Sequence, residues 1–324
     1  MTNAVGNTAV GYASLSALTT GDYNLSSGYL AGGANTTGFS NVILGAFAGD
    51  LMTTSSYNVL VGYQAGTAIS AGQTTSDGVV SIGYASLAAL ESGAKNIAIG
   101  YSSGSLLTTG GENVIIGHNA FDAADGGEGG NIIIGRDAGG AIDHDDSDDN
   151  VIIGTNAGVG GDAAMGKCIA IGKEALTGTA NNAQSGTVAI GHKALTALTT
   201  GAGNIAIGYQ AMMTANAGEE NNTVIGYEAL KINDAAGCDN NTVIGYQAGD
   251  ALTGGYDNTI IGASAEASAV NGGNQVVIGY GATGQANDSV TLGNAAVTAV
   301  YMSQDSGAVV YCSGVNFPDD ATAG

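Results

Sequence analysis

Asn113-Val114-Ile115-Ile116-Gly117 is one instance of a five-residue phrase that recurs along most of this chain. It returns as Asn131-Ile132-Ile133-Ile134-Gly135, Asn204-Ile205-Ala206-Ile207-Gly208, Asn222-Thr223-Val224-Ile225-Gly226 and Asn241-Thr242-Val243-Ile244-Gly245. Aligned on its glycine, the phrase runs from Gly11 through Gly28, Gly45, Gly62, Gly83, Gly100, Gly154, Gly172, Gly191, Gly262 and Gly279 to Gly293. Most units are 17–19 residues long, by subtraction of successive glycine numbers. Self-similarity at a fixed short period is the mark of a stacked-repeat architecture.

Each column around the anchor glycine has its own chemistry. Position −1 is almost always Ile, Val or Leu, and position −3 is Val or Ile with some Thr, apart from Leu25. Position −4 is dominated by Asn, position +1 by Tyr, and position +3 is Ala or Ser throughout. Five residues rich in β-branched side chains and closed by glycine read as a short β-strand with a turn after it. Side chains alternate along a strand, so positions −3 and −1 share a face, and that face is expected to line the inside of a coil. The anchor glycine is expected where a positive φ or close backbone approach is needed. The Ala/Ser column is expected at a site with no room for more, and the Asn column as a ladder bonded from coil to coil. Leu-Thr-Thr-Gly, as in Leu18–Gly21, Leu107–Gly110 and Leu198–Gly201, returns the chain to the next strand.

The expected fold is therefore all-β: a parallel β-solenoid of about seventeen coils over residues 1–297, with residues 298–324 as capping strands and a tail. In that last part, Thr298–Met302 and Gly307–Cys312 read as two strands. Pro318 is the chain's one proline, as expected where every coil needs its N–H groups for a ladder. A helical repeat is excluded by apolar residues bunched within five positions and by glycine in every unit. Position −2 holds Ile43, Leu60, Ile115, Ile133, Ile152, Val224, Val243, Ile260 and Val277, with Ala or Ser in most other units. Being opposite to −1 and −3, it is expected to face outward, and an apolar outer face needs a cover. The expectation is a homo-oligomer, a trimer, with a monomeric solenoid as the alternative.

Composition narrows the function classes. Six Lys and Arg stand against 28 Asp and Glu, a net charge of −22. This disfavours nucleic acid and anionic membrane surfaces, which require a basic footprint. Cys168, Cys238 and Cys312 lack metal-site or disulfide spacing, and Cys168 takes the place of Asn in its column. No stretch has the length of an apolar membrane span. The first residues lack the basic and apolar segments of a secretory signal, so the chain reads as made in the cytoplasm or as a segment of a longer fibre.

Candidate chemistry is sparse. His118 and His192 occupy the Tyr column and read as ordinary substitutions there. The run Asp143-His144-Asp145-Asp146-Ser147-Asp148-Asp149 offers carboxylates at Asp143, Asp145, Asp146, Asp148 and Asp149 for Ca²⁺; a solvated, self-repelling loop is the competing reading. No nucleophile, base and acid set stands out from the repeat, and glycan cleavage would need paired carboxylates on a groove. The expectation is a protein without enzymatic activity.

The octapeptide Asn-x-x-Ile-Gly-Tyr-x-Ala, in Asn204–Ala211, Asn222–Ala229 and Asn241–Ala248, resembles two related groups over about residues 3–297. One is the head repeat of trimeric autotransporter adhesins, a left-handed parallel β-roll. The other is the repetitive shaft of phage tail fibres, especially those ending in a self-cleaving chaperone. Units of 17–19 residues are longer than the compact adhesin-head repeat. The segment Val290–Cys312 is similar to the region just before such a chaperone. The resemblance implies a trimeric phage tail fibre that carries or forms a host-recognition element, located in the virion. The alternative is a bacterial surface adhesin or extracellular filament.

Overall fold

The computed structural model describes residues 4–69, 76–161, 163–179, 183–215, 218–232 and 237–300. Seventeen strands, one per coil, form a single parallel sheet in which neighbours in sequence are neighbours in space. The protein is a β-solenoid. Register is constant: Ile97 pairs with Val114, Ile99 with Ile116, and these in turn with Ile132 and Ile134. Met165–Gly166 and Gln184–Ser185 form a small second parallel pair. There is no helix among the described residues, and hence none long and apolar enough to cross a membrane.

Most strands span only three residues, as in Val114–Ile116 and Ile205–Ile207. Their hydrogen bonds run along the stack. Ile97 N–H donates to the carbonyl of Asn113 in the next coil at 2.8 Å, and Gly100 N–H donates to Ile82 in the preceding coil at 2.8 Å. The anchor glycine ends the strand with φ near +140° (Gly62 +137°, Gly117 +149°). A Cβ on Gly117 would stand 2.2 Å from the carbonyl oxygen of Gly135, and one on Gly62 would stand 2.3 Å from that of Gly83. Both conformation and space therefore require glycine at this position.

The two faces of each strand are the reverse of the expectation. The middle residue, position −2, points into the coil's own interior: Ile43, Leu60, Ile115, Ile133, Ile152, Val224, Val243 and Ile260 are fully buried. Positions −3 and −1 point outward and are half-buried or exposed, as in Val114–Ile116 and Ile97–Ile99. The reason lies in what else fills the coil. The buried Asn at −4 shares parity with −2, while the buried Ala or Ser at +3 and the residue at +7 (Leu18, Met52, Leu90, Leu107, Leu198) come from the opposite wall. These columns leave a cross-section that the −2 side chain completes.

Position +4 completes the same space from the other side. It has φ near +50° in every coil from Leu15 to Gly249, and it alternates between glycine and a large buried residue. Coils with Ile43, Leu60, Ile133 or Ile152 at −2 carry Gly49, Gly66, Gly139 or Gly158 at +4. Coils with Ser81, Ala170, Ala189 or Ala206 carry Leu87, Leu176, Leu195 or Met212, all buried. A Cβ on Gly49 would meet Leu60 Cδ1 at 2.7 Å. Near-constant core volume is what close packing demands. Where both positions are small, neighbouring coils lean in: Ile115 Cδ1 and Leu87 Cδ2 lie 2.8 and 3.0 Å from a Cβ placed on Gly104.

Among the described residues the last strand is Ser289–Leu292. Of the expected strand Thr298–Met302, residues 298–300 are described and carry no strand; Tyr301, Met302, the second expected strand Gly307–Cys312 and the tail lie outside the described residues.

Candidate interaction face and acidic loops

The alternation that buries −2 lays the outward −3 and −1 side chains of seventeen coils into two aliphatic rows on one sheet face. Position +1 adds an aromatic row. Tyr12 and Tyr29 stack at 5.2 Å between ring centroids. Phe47, at +2, bridges Tyr29 and Tyr63 edge-on at 5.3 and 5.8 Å, because its own coil has Ala46 at +1. Tyr63, Tyr84, Tyr101 and His118 continue at 5.4, 4.9 and 5.0 Å. A second stack runs His192, Tyr209, Tyr227, Tyr246 at 5.3, 5.0 and 5.4 Å. The separations of the stacked rings follow the coil rise, so these rings cover one another's faces and present their edges outward. His118 and His192 are thus inner ends of two aromatic stacks. The column between them reads Arg136, Thr155, Lys173. Arg136 pairs with Asp137, and Lys173 with Glu174 at 3.1 Å.

Inside the coil, the Asn column forms hydrogen-bonded rows, broken at Val79 and again at Cys168 and Thr187. Asn131 N–H donates to Asn113 Oδ1 at 2.9 Å, and Asn150 N–H to Asn131 Oδ1 at 3.0 Å. Asn222 N–H and Asn241 N–H donate in the same way to Asn204 and Asn222 at 3.0 and 2.9 Å. Most of the side-chain amides also donate to a backbone carbonyl one coil on, as Asn113 Nδ2 does to Glu128 O at 2.8 Å. A buried backbone N–H must find a partner, and here a side chain provides it. Cys168 interrupts the row: its N–H donates to Asn150 Oδ1 at 2.9 Å, but it has no amide to offer Thr187. Burial pushes the Cys168 thiol up, and burial together with Glu219 and Asp239 pushes Cys238 up to about 12. Both are free, buried thiols of low reactivity.

The acidic run at 143–149 lies over the glycine-rich loop 125–130 of the preceding coil. Asp145 Oδ1 accepts from Gly127 N–H at 3.2 Å, and Asp148 Oδ1 from Gly129 N–H at 2.7 Å. Asp146 sits 4.0 Å from His144 Nδ1, and Asp149 Oδ1 lies where a Cβ on Gly130 would be 2.7 Å away. Of the five carboxylates named from sequence, Asp143 joins a cluster that has candidate ligand geometry, and its companions are Asp125 and Glu128. Sequence reasoning missed those two, although Glu128 carries a signal. It stands three residues before a ladder Asn, a column held by Gly38, Gly93, Gly110 and Ser147 in other coils. That column points inward, and Glu128 is completely buried. Burial, then the nearby Asp145 and Asp125 carboxylates, push its carboxyl up.

Glu266, at +4 in its coil, accepts from Asp250 N–H at 3.2 Å and Ala251 N–H at 3.4 Å. Burial and a hydrogen-bonded Asp250 carboxyl push it up to about 8.

No family model, no curated protein and no solved structure matches this chain.

Proposed function

We propose that this protein is the shaft of a fibre, a homotrimer whose three solenoids pack through the outward aliphatic and aromatic rows. The observation that carries this reading is the length and continuity of that face. Seventeen strands about 4.8 Å apart make it roughly 80 Å long, and three to four strand residues make it about 10 Å wide. On the order of 800 Å² per chain is what a standard stable interface buries on each side, and it exceeds the apolar patch of a typical monomer. The rows are mostly Val, Ile and Tyr, with Thr at −3 in several coils and a break at Arg136, Thr155 and Lys173 in the aromatic row; they hold no acid, so the Asp and Glu behind the net charge of −22 lie elsewhere. Such a surface favours self-association through one face and repulsion between fibres. The −2 residues, buried within each chain, have no part in this interface; the partner-facing residues are Val114, Ile116, Ile205, Ile207 and their equivalents.

The octapeptide's resemblance to tail-fibre shafts supports a phage tail fibre that holds a host-recognition element away from the virion. In this reading the shaft positions and spaces, and has no catalytic role. A mass of three times 31.5 kDa in light scattering, with straight rods in electron micrographs, is the expected result. Ile116→Lys together with Ile207→Lys should convert the rods to single chains. A single-chain mass for the unaltered protein would refute the assembly. Immunogold labelling of phage lysates against surface-grown bacteria separates the virion from the adhesin reading.

A further inference from the structure

Two successive coils converge on one point at the rim of the solenoid. The lower contributes Asp125 and Glu128, and the upper contributes Asp143. One carboxylate oxygen from each lies within 4.8 Å of the other two. Glu128 is fully buried; its Oε2 accepts from Gly126 N–H at 3.2 Å, but its Oε1 is buried with no hydrogen-bond partner. An ionised oxygen withdrawn from water and given no donor is costly. Five of the six Lys and Arg (Lys95, Arg136, Lys173, Lys193, Lys231) pair with carboxylates elsewhere. The backbone holds the loops in place: Gly127 and Gly129 N–H bind Asp145 and Asp148, and a Cβ on Gly126 would fall 1.8 Å from Asp145 Oδ1.

We infer that Asp125, Glu128 and Asp143 form a divalent-cation site that ties two coils together, with Ca²⁺ as the ion it fits. Mg²⁺ demands near-ideal octahedral geometry at about 2.0–2.1 Å, whereas Ca²⁺ takes its oxygens at about 2.3–2.6 Å in flexible geometry. Ca²⁺ also accepts irregular coordination with water completing the shell, which suits one buried and two exposed carboxylates. The buried Glu128 oxygen gains the positive partner it lacks, and Asp125 and Asp143 close over the rim.

The site is independent of oligomerisation, so it is tested on the full chain whatever its assembly. After chelator treatment, titration with CaCl₂ by calorimetry should give saturable heat at one ion per chain below about 10 mM, with MgCl₂ about tenfold weaker. The melting temperature should rise with CaCl₂. Glu128→Gln should weaken binding at least about tenfold and abolish that rise, while Glu91→Gln, an exposed acid on another coil, should leave both unchanged. If Glu128→Gln does not fold, Asp143→Asn, altered at the exposed ligand, is held to the same criterion. Absence of saturable heat, unaltered binding by the folded ligand variant, or equal affinity for Mg²⁺ would each overturn the assignment.

Discussion

Two stretches of the solenoid solve one packing problem in opposite ways. Around the strands Val42–Leu44 and Val59–Val61, the sheet wall supplies bulk through Ile43 and Leu60, and the facing turn supplies Gly49 and Gly66. Around Ile169–Ile171 and Val188–Ile190, the sheet wall recedes to Ala170 and Ala189, and the turn supplies Leu176 and Leu195. The backbone is alike in both, with φ of +51° at Gly49 and +50° at Leu195. The difference teaches that the repeat specifies a cross-section rather than a residue at each place. The left-handed turn at +4 prefers glycine, so a large side chain there is held by the hydrophobic space it fills.

The comparison can be broken most severely at the anchor, which both stretches share. Gly62→Ala and Gly191→Ala would each drive a Cβ to 2.3 or 2.2 Å from the next glycine's carbonyl oxygen. Each should cost at least about 3 kcal/mol in denaturant unfolding. A marked inequality between them would mean that the two stretches differ in backbone as well as filling. Next come the fillers themselves. Leu60→Ala should cost about 2–4 kcal/mol, and adding Gly66→Leu should restore part of it. Ala189→Ile should cost about 1–3 kcal/mol by overpacking, relieved by Leu195→Gly. Strict additivity in both double-mutant cycles would disprove the volume exchange.

The amide row offers a smaller test. The first stretch has Asn41 and Asn58 in that row, but the second has Cys168 and Thr187. Asn41→Ala removes the acceptor of Asn58 N–H and should cost about 1–2 kcal/mol. Cys168→Asn should gain up to about 1 kcal/mol by offering Thr187 an acceptor, as read from the shift in denaturation midpoint. A destabilised Cys168→Asn variant would show that the second stretch cannot seat an amide.

The smallest effect is expected at Glu266. Its folded-state pKa, about 8, is raised above the ordinary 4.5, so the folded protein holds the proton more tightly than the unfolded chain. The associated stability is present below pH 4.5 and is lost as pH rises toward 8. Unscreened, three pH units at about 1.4 kcal/mol each would make about 4 kcal/mol. Because Glu266 is only half-buried and solvent screens it, unfolding at pH 5 and pH 8 should differ by on the order of 1 kcal/mol, and Glu266→Gln should flatten the difference. An unchanged slope in that variant would mean that Glu266 is not the group whose raised pKa sets the difference.

Much of this architecture was legible because its signals are columns. The anchor glycine, the small +3 residue and the amide at −4 each recur with one chemistry, and the parallel in-register stack follows from their spacing. The direction of the strand was harder, because Ile and Val occupy −3, −2 and −1 alike and hydrophobicity alone cannot distinguish the sides. Two clues bore on it. The Asn at −4, which needs a buried row to be so uniform, has the parity of −2. The size of the −2 residue also varies inversely with +4 in most coils, as packed neighbours should, although Ile115 with Phe121 and Val224 with Leu230 are large at both positions. The acidic run drew attention by its density, yet density marks solvated loops. Glu128, one of two buried acids (with Glu219) in an otherwise small, inward column, shows the value of reading a repeat by column.

The orientation of the backbone bonds has a mechanical consequence. They run from coil to coil, as from Ile97 N–H to Asn113 O, so tension applied at the two chain ends loads each bond along its own length. A rod of this kind should yield by peeling from a tip, one wrap at a time. Each 17-residue wrap freed in that way would add roughly 55–60 Å of slack. A force-extension trace with steps of that size would record the peeling, and a single catastrophic rupture would contradict it. An array of this design would therefore behave under load as a shock absorber whose travel is set by the number of coils.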